Sequence, residues 1–385
     1  DVAGYTNITY VLLEDLTVVN LTNLTVNAGV VIKLQGKTIY VDGGFKCNGT
    51  IAERVIFTSL YDDNVGNPMD TNGDGNATTP ARTNWNYIQF RDNSDDVFCS
   101  FANTNLQFGG GGTTGVLRTL NASPVINSTL IDQSTYGIWC DGNSAPTFNN
   151  VTIQNCSYDP IAMSLTSNPT FTNIVFSANA SNGIRIIEGT LSTSTTLIKR
   201  SVAGFSNIAY IINGNLDIAS GATLTLQQGI ILKFHNYYSA ISIHGGLNAT
   251  GTVGEKIYFT SIKDDAVGGD TNNDGNVSIP TNNDYYGLIF YPESIDANNR
   301  LIFCELRYTG GGYIPVFGND TYHGAVRIKD AYVQISNTVF QQGYYSAIGI
   351  YGSANPAIST CQMYNFTQEP VYMSMFSNPT FSNIT

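Results

Sequence analysis

Long apolar runs are missing from this 385-residue chain, and no stretch approaches the roughly 18–20 residues that a membrane-spanning helix needs. Charge is scarce as well: Asp, Glu, Lys and Arg make up 12 % of the residues, too few for amphipathic helices rich in Glu and Lys. Only 17 residues are basic against 29 acidic, a net charge of -12, which argues against a nucleic-acid partner because a phosphate backbone wants clustered Lys and Arg. Histidine is limited to His235, His244 and His323, which share no common spacing and no Ser or Cys nucleophile partner. Six cysteines form no tight framework. Cys99 and Cys304 stand at equivalent places in apolar runs and are expected to be buried thiols acting as small hydrophobes. A Cys140–Cys156 disulfide stays open at this stage.

Asn, Thr, Ser and Gly fill the polar positions instead. Sequons of the form Asn-X-Ser/Thr number about fifteen, among them Asn7, Asn20, Asn23, Asn76, Asn121 and Asn276. They make the chain a candidate glycoprotein where the host has the machinery. An extracellular or cell-surface location suits this composition.

The strongest pattern is internal repetition. Asp1-Val-Ala-Gly-Tyr-Thr-Asn-Ile returns as Ser201-Val-Ala-Gly-Phe-Ser-Asn-Ile, and Gly29-Val-Val-Ile-Lys-Leu as Gly229-Ile-Ile-Leu-Lys-Phe. Phe57-Thr-Ser-Leu-Tyr-Asp-Asp returns as Phe259-Thr-Ser-Ile-Lys-Asp-Asp. Two tandem copies follow, residues 1–200 and 201–385, with the second truncated and continuous with the first. Because the second copy stops inside a unit, the chain is expected to be a segment of a longer array, pairing with further units or end to end with itself. Inside each copy a shorter beat of roughly 22–23 residues recurs at Pro124, Pro146 and Pro169. Its runs of three or four β-branched and aromatic residues alternate with period two between Gly, Asn, Ser and Pro turns. Such runs are too short for helices, and the beat is too short for propeller blades. The expected fold is all-β, a right-handed parallel β-helix whose coils each carry three short strands.

One acidic motif recurs in both copies. Asp62-Asp63 precedes Asp70-Thr-Asn72-Gly-Asp74-Gly, and Asp264-Asp265 precedes Asp270-Thr-Asn272-Asn-Asp274-Gly. Alternating oxygen side chains on a tight loop present hard ligands to one point, the chemistry of calcium. The loop is similar to the first half of an EF-hand, but Ala81 and Thr281 stand at position twelve where that motif has Glu. The expected metal ligands are Asp62, Asp63, Asp70, Asn72, Asp74, Asp264, Asp265, Asp270, Asn272 and Asp274, holding two structural calcium ions. No other cofactor is expected.

Together these phrases resemble secreted prokaryotic right-handed β-helix repeat proteins with calcium loops. The matching stretches are Leu24–Leu34, Ile56–Asp63, Asp70–Gly75 and Trp85–Ile88, then Leu224–Phe234, Gly246–Thr252, Ile257–Asp265, Gly269–Gly275 and Tyr285–Ile289. The resemblance implies the fold and the calcium loop, and surface, stalk or adhesin settings.

Parallel β-helices also host polysaccharide-cleaving enzymes. Arg327-Ile328-Lys329 looks like the substrate-binding triplet of polygalacturonases, yet His323-Gly324 stands only a few residues before it and the Asp pairs belong to the acidic loops. A solvated strand face is the expected reading. Arg82 and Arg91, candidates for a lyase-like base, are replaced by Asn282 and Tyr291 in the second copy. Gly109–Gly112 and Gly310–Gly312 are expected to be close-packed turns, since no helix follows them. Tyrosine pairs at Tyr237-Tyr238, Tyr285-Tyr286 and Tyr344-Tyr345 offer rings for sugar stacking, although such rings more often fill strand ladders. The expected function is a structural or adhesive, calcium-stabilised repeat segment of a larger secreted or surface protein. The alternative is a polysaccharide-binding or polysaccharide-cleaving β-helix, to be recognised by a continuous groove of exposed Tyr, Arg and Asp outside the metal loops.

Overall fold

A computed structural model describes residues 7–112, 114–310 and 323–385. Asp1–Thr6 of the opening repeat and the Gly311-Gly312 part of the second glycine run therefore lie outside the described residues. The fold is an all-β parallel solenoid, and every named strand pair is parallel, each strand pairing with its counterpart one coil on. The only helix among the described residues is the short 3-10 turn Asp296–Asn298. The described residues form two compact units: residues up to Ile184 with Ser201–Ser206, and Arg185–Arg200 with Asn207–Thr385.

In the first unit one sheet stacks Tyr10–Leu12, Val31–Leu34, Val55–Ser59, Thr104–Gln107, Leu130–Asp132, Thr152–Gln154 and Val175–Ser177. Two further sheets complete each coil, one through Ile39–Val41, Ile88–Phe90 and Gly115–Leu120, the other through Gly44–Asn48, Ser100–Ala102 and Val125–Asn127. Register follows the proline beat: Ile126 faces Phe148, and Phe148 faces Phe171. The second unit repeats the plan, with Ile231–Phe234 on Ile257–Ser261 and Ala240–Ile243 on Gly287–Phe290.

Two physical devices turn these short strands into coils. Period-two alternation sends one side chain in two inward, where rings from successive coils meet. Phe45, Phe57, Phe90 and Phe101 are all fully buried, with the Phe101 ring 5.6 Å from those of Phe45 and Phe90. The corner after Ser100–Ala102 is made by a single residue in the left-handed region, Asn103 at φ 46°. Asn150 and Asn173 repeat this at 53° and 51°, and Asn tolerates that conformation through its short polar side chain. Outside the core, Asn149 donates to Asn127 at 3.0 Å, so neighbouring coils are also tied by amide side chains.

All six cysteines are buried thiols, but Cys99 and Cys304 are not equivalent as expected: Cys304 opens the strand Cys304–Arg307, whose first-unit counterpart Thr104–Gln107 opens with Thr104. Burial pushes the Cys99 thiol up to about 11 and Cys156 up to about 12, as expected for thiols that act as hydrophobes. Arg327 corrects an expectation. It is 1 % exposed rather than solvated, because Tyr286 covers it at 5.8 Å and Tyr351, Tyr237 and Tyr345 surround its charge. Burial pushes its guanidinium down to about 10.

Candidate metal centre

Each acidic loop leaves the end of a strand in the core of a sheet. Val55–Ser59 runs into the first, and Ile257–Ser261 into the second. The chain returns through a buried aromatic, Trp85 or Tyr285, both 0 % exposed. The Trp85 indole donates to the Gln107 carbonyl at 2.7 Å, and the Tyr285 hydroxyl to the Phe259 carbonyl at 2.9 Å. These anchors hold the base of a loop too polar to hold itself by packing.

Within the first loop the geometry divides the expected ligands into two groups. Asp63, Asp70 and Asp74 each offer a carboxylate oxygen, and the three lie within 4.8 Å of one another. Asp265, Asp270 and Asp274 do the same in the second loop. Asp70 is aimed by the turn itself, accepting the Gly73 amide at 2.7 Å, the Asp74 amide at 3.1 Å and the Gly75 amide at 3.0 Å. Gly75 at φ 64° makes this turn without a Cβ penalty. Asp74 accepts the Thr78 hydroxyl and amide and the Asn72 side-chain amide, and these bonds, led by the hydroxyl, lower its pKa. Asp274 is held in the same way by Ser278 and Asn272, with the same direction of shift.

Asp62 and Asp264 sit deeper, 2 % and 1 % exposed. Asp62 accepts the Thr58 hydroxyl at 2.7 Å and the Asn64 amide at 3.2 Å. Asp264 accepts the Thr260 hydroxyl at 2.6 Å and the Ala266 amide at 3.2 Å, and faces Arg307 at 3.5 Å. They bracket the loop to the strand, outside the groups of three.

The groups of three are electrostatically incomplete. Both carboxylate oxygens of Asp63, one of Asp265 and the amide oxygens of Asn72 and Asn272 are buried without a hydrogen-bond partner among the described residues. Burial, then repulsion from Asp70 and Asp74, raises the Asp63 pKa; burial and Asp270 do the same for Asp265. Unmet hard oxygens beside converging carboxylates fit a calcium-like cation, which takes six to eight oxygens in flexible geometry. A zinc site would want nitrogen or sulfur ligands, and the groups of three contain only carboxylates.

A further pair of functional residues went unassigned in the sequence. Lys33 and Lys233 are 0 % exposed in the strands beneath the loops. The Lys233 ammonium donates to the Asp264 carbonyl at 2.9 Å and the Gly269 carbonyl at 2.7 Å, clamping both ends of the acidic segment. Lys33 does the same through Asp62 and Met69. Burial pushes Lys233 down to about 8 despite the acids nearby. A lysine in the middle of an apolar strand, present in both copies, was the available signal.

The enzyme candidates are engaged elsewhere. Arg82 donates to the Asn155 carbonyl and Arg91 pairs with Asp42 at 3.3 Å. His323 stacks on Tyr345, and His244 lies between Asp217 and Glu293.

A family model for the right handed beta helix region matches residues 86–245. No curated protein and no solved structure matches the chain. The match and the coil-to-coil strand pairing give this chain the fold of a right-handed parallel β-helix. Among the described residues no helix is long and apolar enough to cross a membrane.

Proposed function

We propose that the chain is a structural or adhesive repeat segment of a larger secreted or cell-surface protein, stiffened by one calcium ion in each acidic loop. The observation that carries the reading is the doubled carboxylate group: Asp63, Asp70 and Asp74 in one loop, Asp265, Asp270 and Asp274 in the other, each beside oxygens that no donor among the described residues meets. Asn72 and Asn272 stand at the rim as further oxygen donors, and backbone carbonyls or water complete the shell. Asp62 and Asp264, with Lys33 and Lys233, hold each loop in place beneath the ion.

The chemistry of this site is neutralisation. Three converging carboxylates repel one another, and a divalent cation turns that repulsion into a cross-link that ties the loop to its coil. A solenoid built of short strands with few charged residues gains rigidity from such pins. Repetition of the same site at the same place in two tandem copies favours a stiffening role over a catalytic one. Calcium levels outside cells suit the weak affinity, roughly 10⁻⁴–10⁻³ M, of extracellular modules.

Limited proteolysis of the full chain tests the reading. In calcium the segments 62–84 and 264–284 resist cleavage; in chelator they are cut first. Equal cutting in both conditions overturns it. The size of the native chain in a surface fraction tests the remainder: a denatured mass well above 41.6 kDa, with more copies of the loop, is expected of a stalk or filament.

A further inference from the structure

The phrase that opens the second copy reaches back to the first unit. Ser201–Ser206 belongs to that unit, although the chain on both sides of it, Arg185–Arg200 and Asn207–Thr385, belongs to the second. It is a tight hairpin. Val202 and Phe205 exchange backbone hydrogen bonds of 3.0 and 2.9 Å across Ala203 and Gly204, both in the left-handed region. Val202 is 3 % exposed, and the hairpin lines one cleft with Phe171, Asn173 and Ile174.

Those three residues belong to the end of a sheet. Thr170–Thr172 is its last strand, and Asn173 and Ile174 follow at the corner. A bare strand edge invites pairing with another chain, and the hairpin packs beside this one as a cap. The cap of the first copy is thus supplied by the opening phrase of the next.

The second unit ends its sheet in the same way. Thr380–Ser382 is the last strand, entered from Asn378-Pro379 as Thr170–Thr172 is entered from Asn168-Pro169. The Thr170 amide donates to the Pro146 carbonyl at 2.9 Å, and the Thr380 amide to the Pro356 carbonyl at 3.0 Å. Asn173 and Asn383 both turn the corner at φ 51°. Here, however, apolar side chains face solvent. Phe381 is 45 % exposed, and Met375 is 97 % exposed where its counterpart Leu165 is 7 % exposed. Ile174 is buried, whereas Ile384 is half-buried. A matching cap is present in the sequence: Asp1-Val2-Ala3-Gly4-Tyr5-Thr6 keeps the valine, the Ala-Gly turn and the aromatic of Ser201–Ser206.

We propose that residues 1–6 of one chain cap the last coil of a second copy, with Val2 and Tyr5 seated beside Phe381 and Ile384 as the Ser201–Ser206 hairpin is seated beside Phe171 and Ile174. The contact is head to tail, so it repeats without closing and builds an open filament. The inference rests on the repeat-segment reading above and makes no use of the calcium ions. A contact this small is transient, with Kd of roughly 10⁻⁴ M, and gains strength where many copies are anchored together.

Sedimentation of the full chain from about 10 µM to about 1 mM, in calcium and in chelator, tests it. The average mass of the wild-type chain is expected to climb with concentration past that of a dimer of the 41.6 kDa chain. Val2→Asp and Phe381→Asp each stay monomeric with an unchanged melting temperature, because each puts a charge on an apolar contact. Phe381→Leu still associates. The decisive sample is an equal mixture of the two aspartate variants. Val2→Asp keeps a working end and Phe381→Asp keeps a working cap, so the mixture forms dimers and nothing larger. A wild-type chain that stays monomeric throughout, or association that both aspartate variants retain, overturns the proposal. Either result leaves the protease pattern of the acidic loops, and with it the calcium reading, as it was.

Discussion

Replacing Asp264 by alanine separates a residue that brackets the loop from one that holds an ion. Asp264 is 1 % exposed, and its carboxylate meets the Thr260 hydroxyl, the Ala266 amide and Arg307. Removing it leaves those donors unmet in a buried place. Breaking a buried charged pair costs about 3–5 kcal/mol when the partner is stranded. Arg307 keeps Glu305 at 2.6 Å, so the low end, about 3 kcal/mol, is expected. The first copy has Gln107 in place of that arginine, following Leu106 as Arg307 follows Leu306. Asp62→Ala then loses the Thr58 and Asn64 bonds and its attraction for Lys33, and costs about 1–2 kcal/mol. Urea denaturation followed by circular dichroism reads both values. Because these carboxylates face the strand, each loss persists in chelator and in calcium alike. A cost for Asp264→Ala below about 1 kcal/mol in chelator, with a large cost only in calcium, refutes the reasoning and makes Asp264 a ligand.

Asp63→Asn should raise the melting temperature in chelator, since it relieves repulsion from Asp70 and Asp74, and should lower the stabilisation that calcium gives; a scan in both buffers reads the change of sign. Phe101→Ala empties the centre of a four-ring cluster and should cost about 3–5 kcal/mol by urea midpoint, whereas Phe101→Leu, the residue at the equivalent Leu301, should cost much less. None of the six cysteines should react with a thiol reagent in the native chain, and all six should react in denaturant, because each is a buried thiol.

The coil architecture was legible because two periods agree. The proline beat fixes the coil, and period-two alternation fixes which side chains enter it, so Ile126, Phe148 and Phe171 fall into one ladder from spacing alone. The acidic loops were legible for a similar reason, since Asp70, Asn72 and Asp74 recur with identical spacing as Asp270, Asn272 and Asp274. Spacing carries no information about which way a side chain turns. Asp62 and Asp63 are neighbours in sequence, yet one faces Thr58 and the other faces Asp70 and Asp74. Lys33 and Lys233 read as ordinary strand residues until the loop carbonyls above them are seen. Arg327 read as solvated because its cover comes from tyrosines on other coils.

Calorimetric titration of the chelated full chain with calcium tests the central claim most directly. The account predicts two sites per chain with Kd of roughly 10⁻⁴–10⁻³ M, and loss of one site each in Asp74→Ala and Asp274→Ala. No binding up to about ten times that concentration, or sites that survive both substitutions, would contradict it.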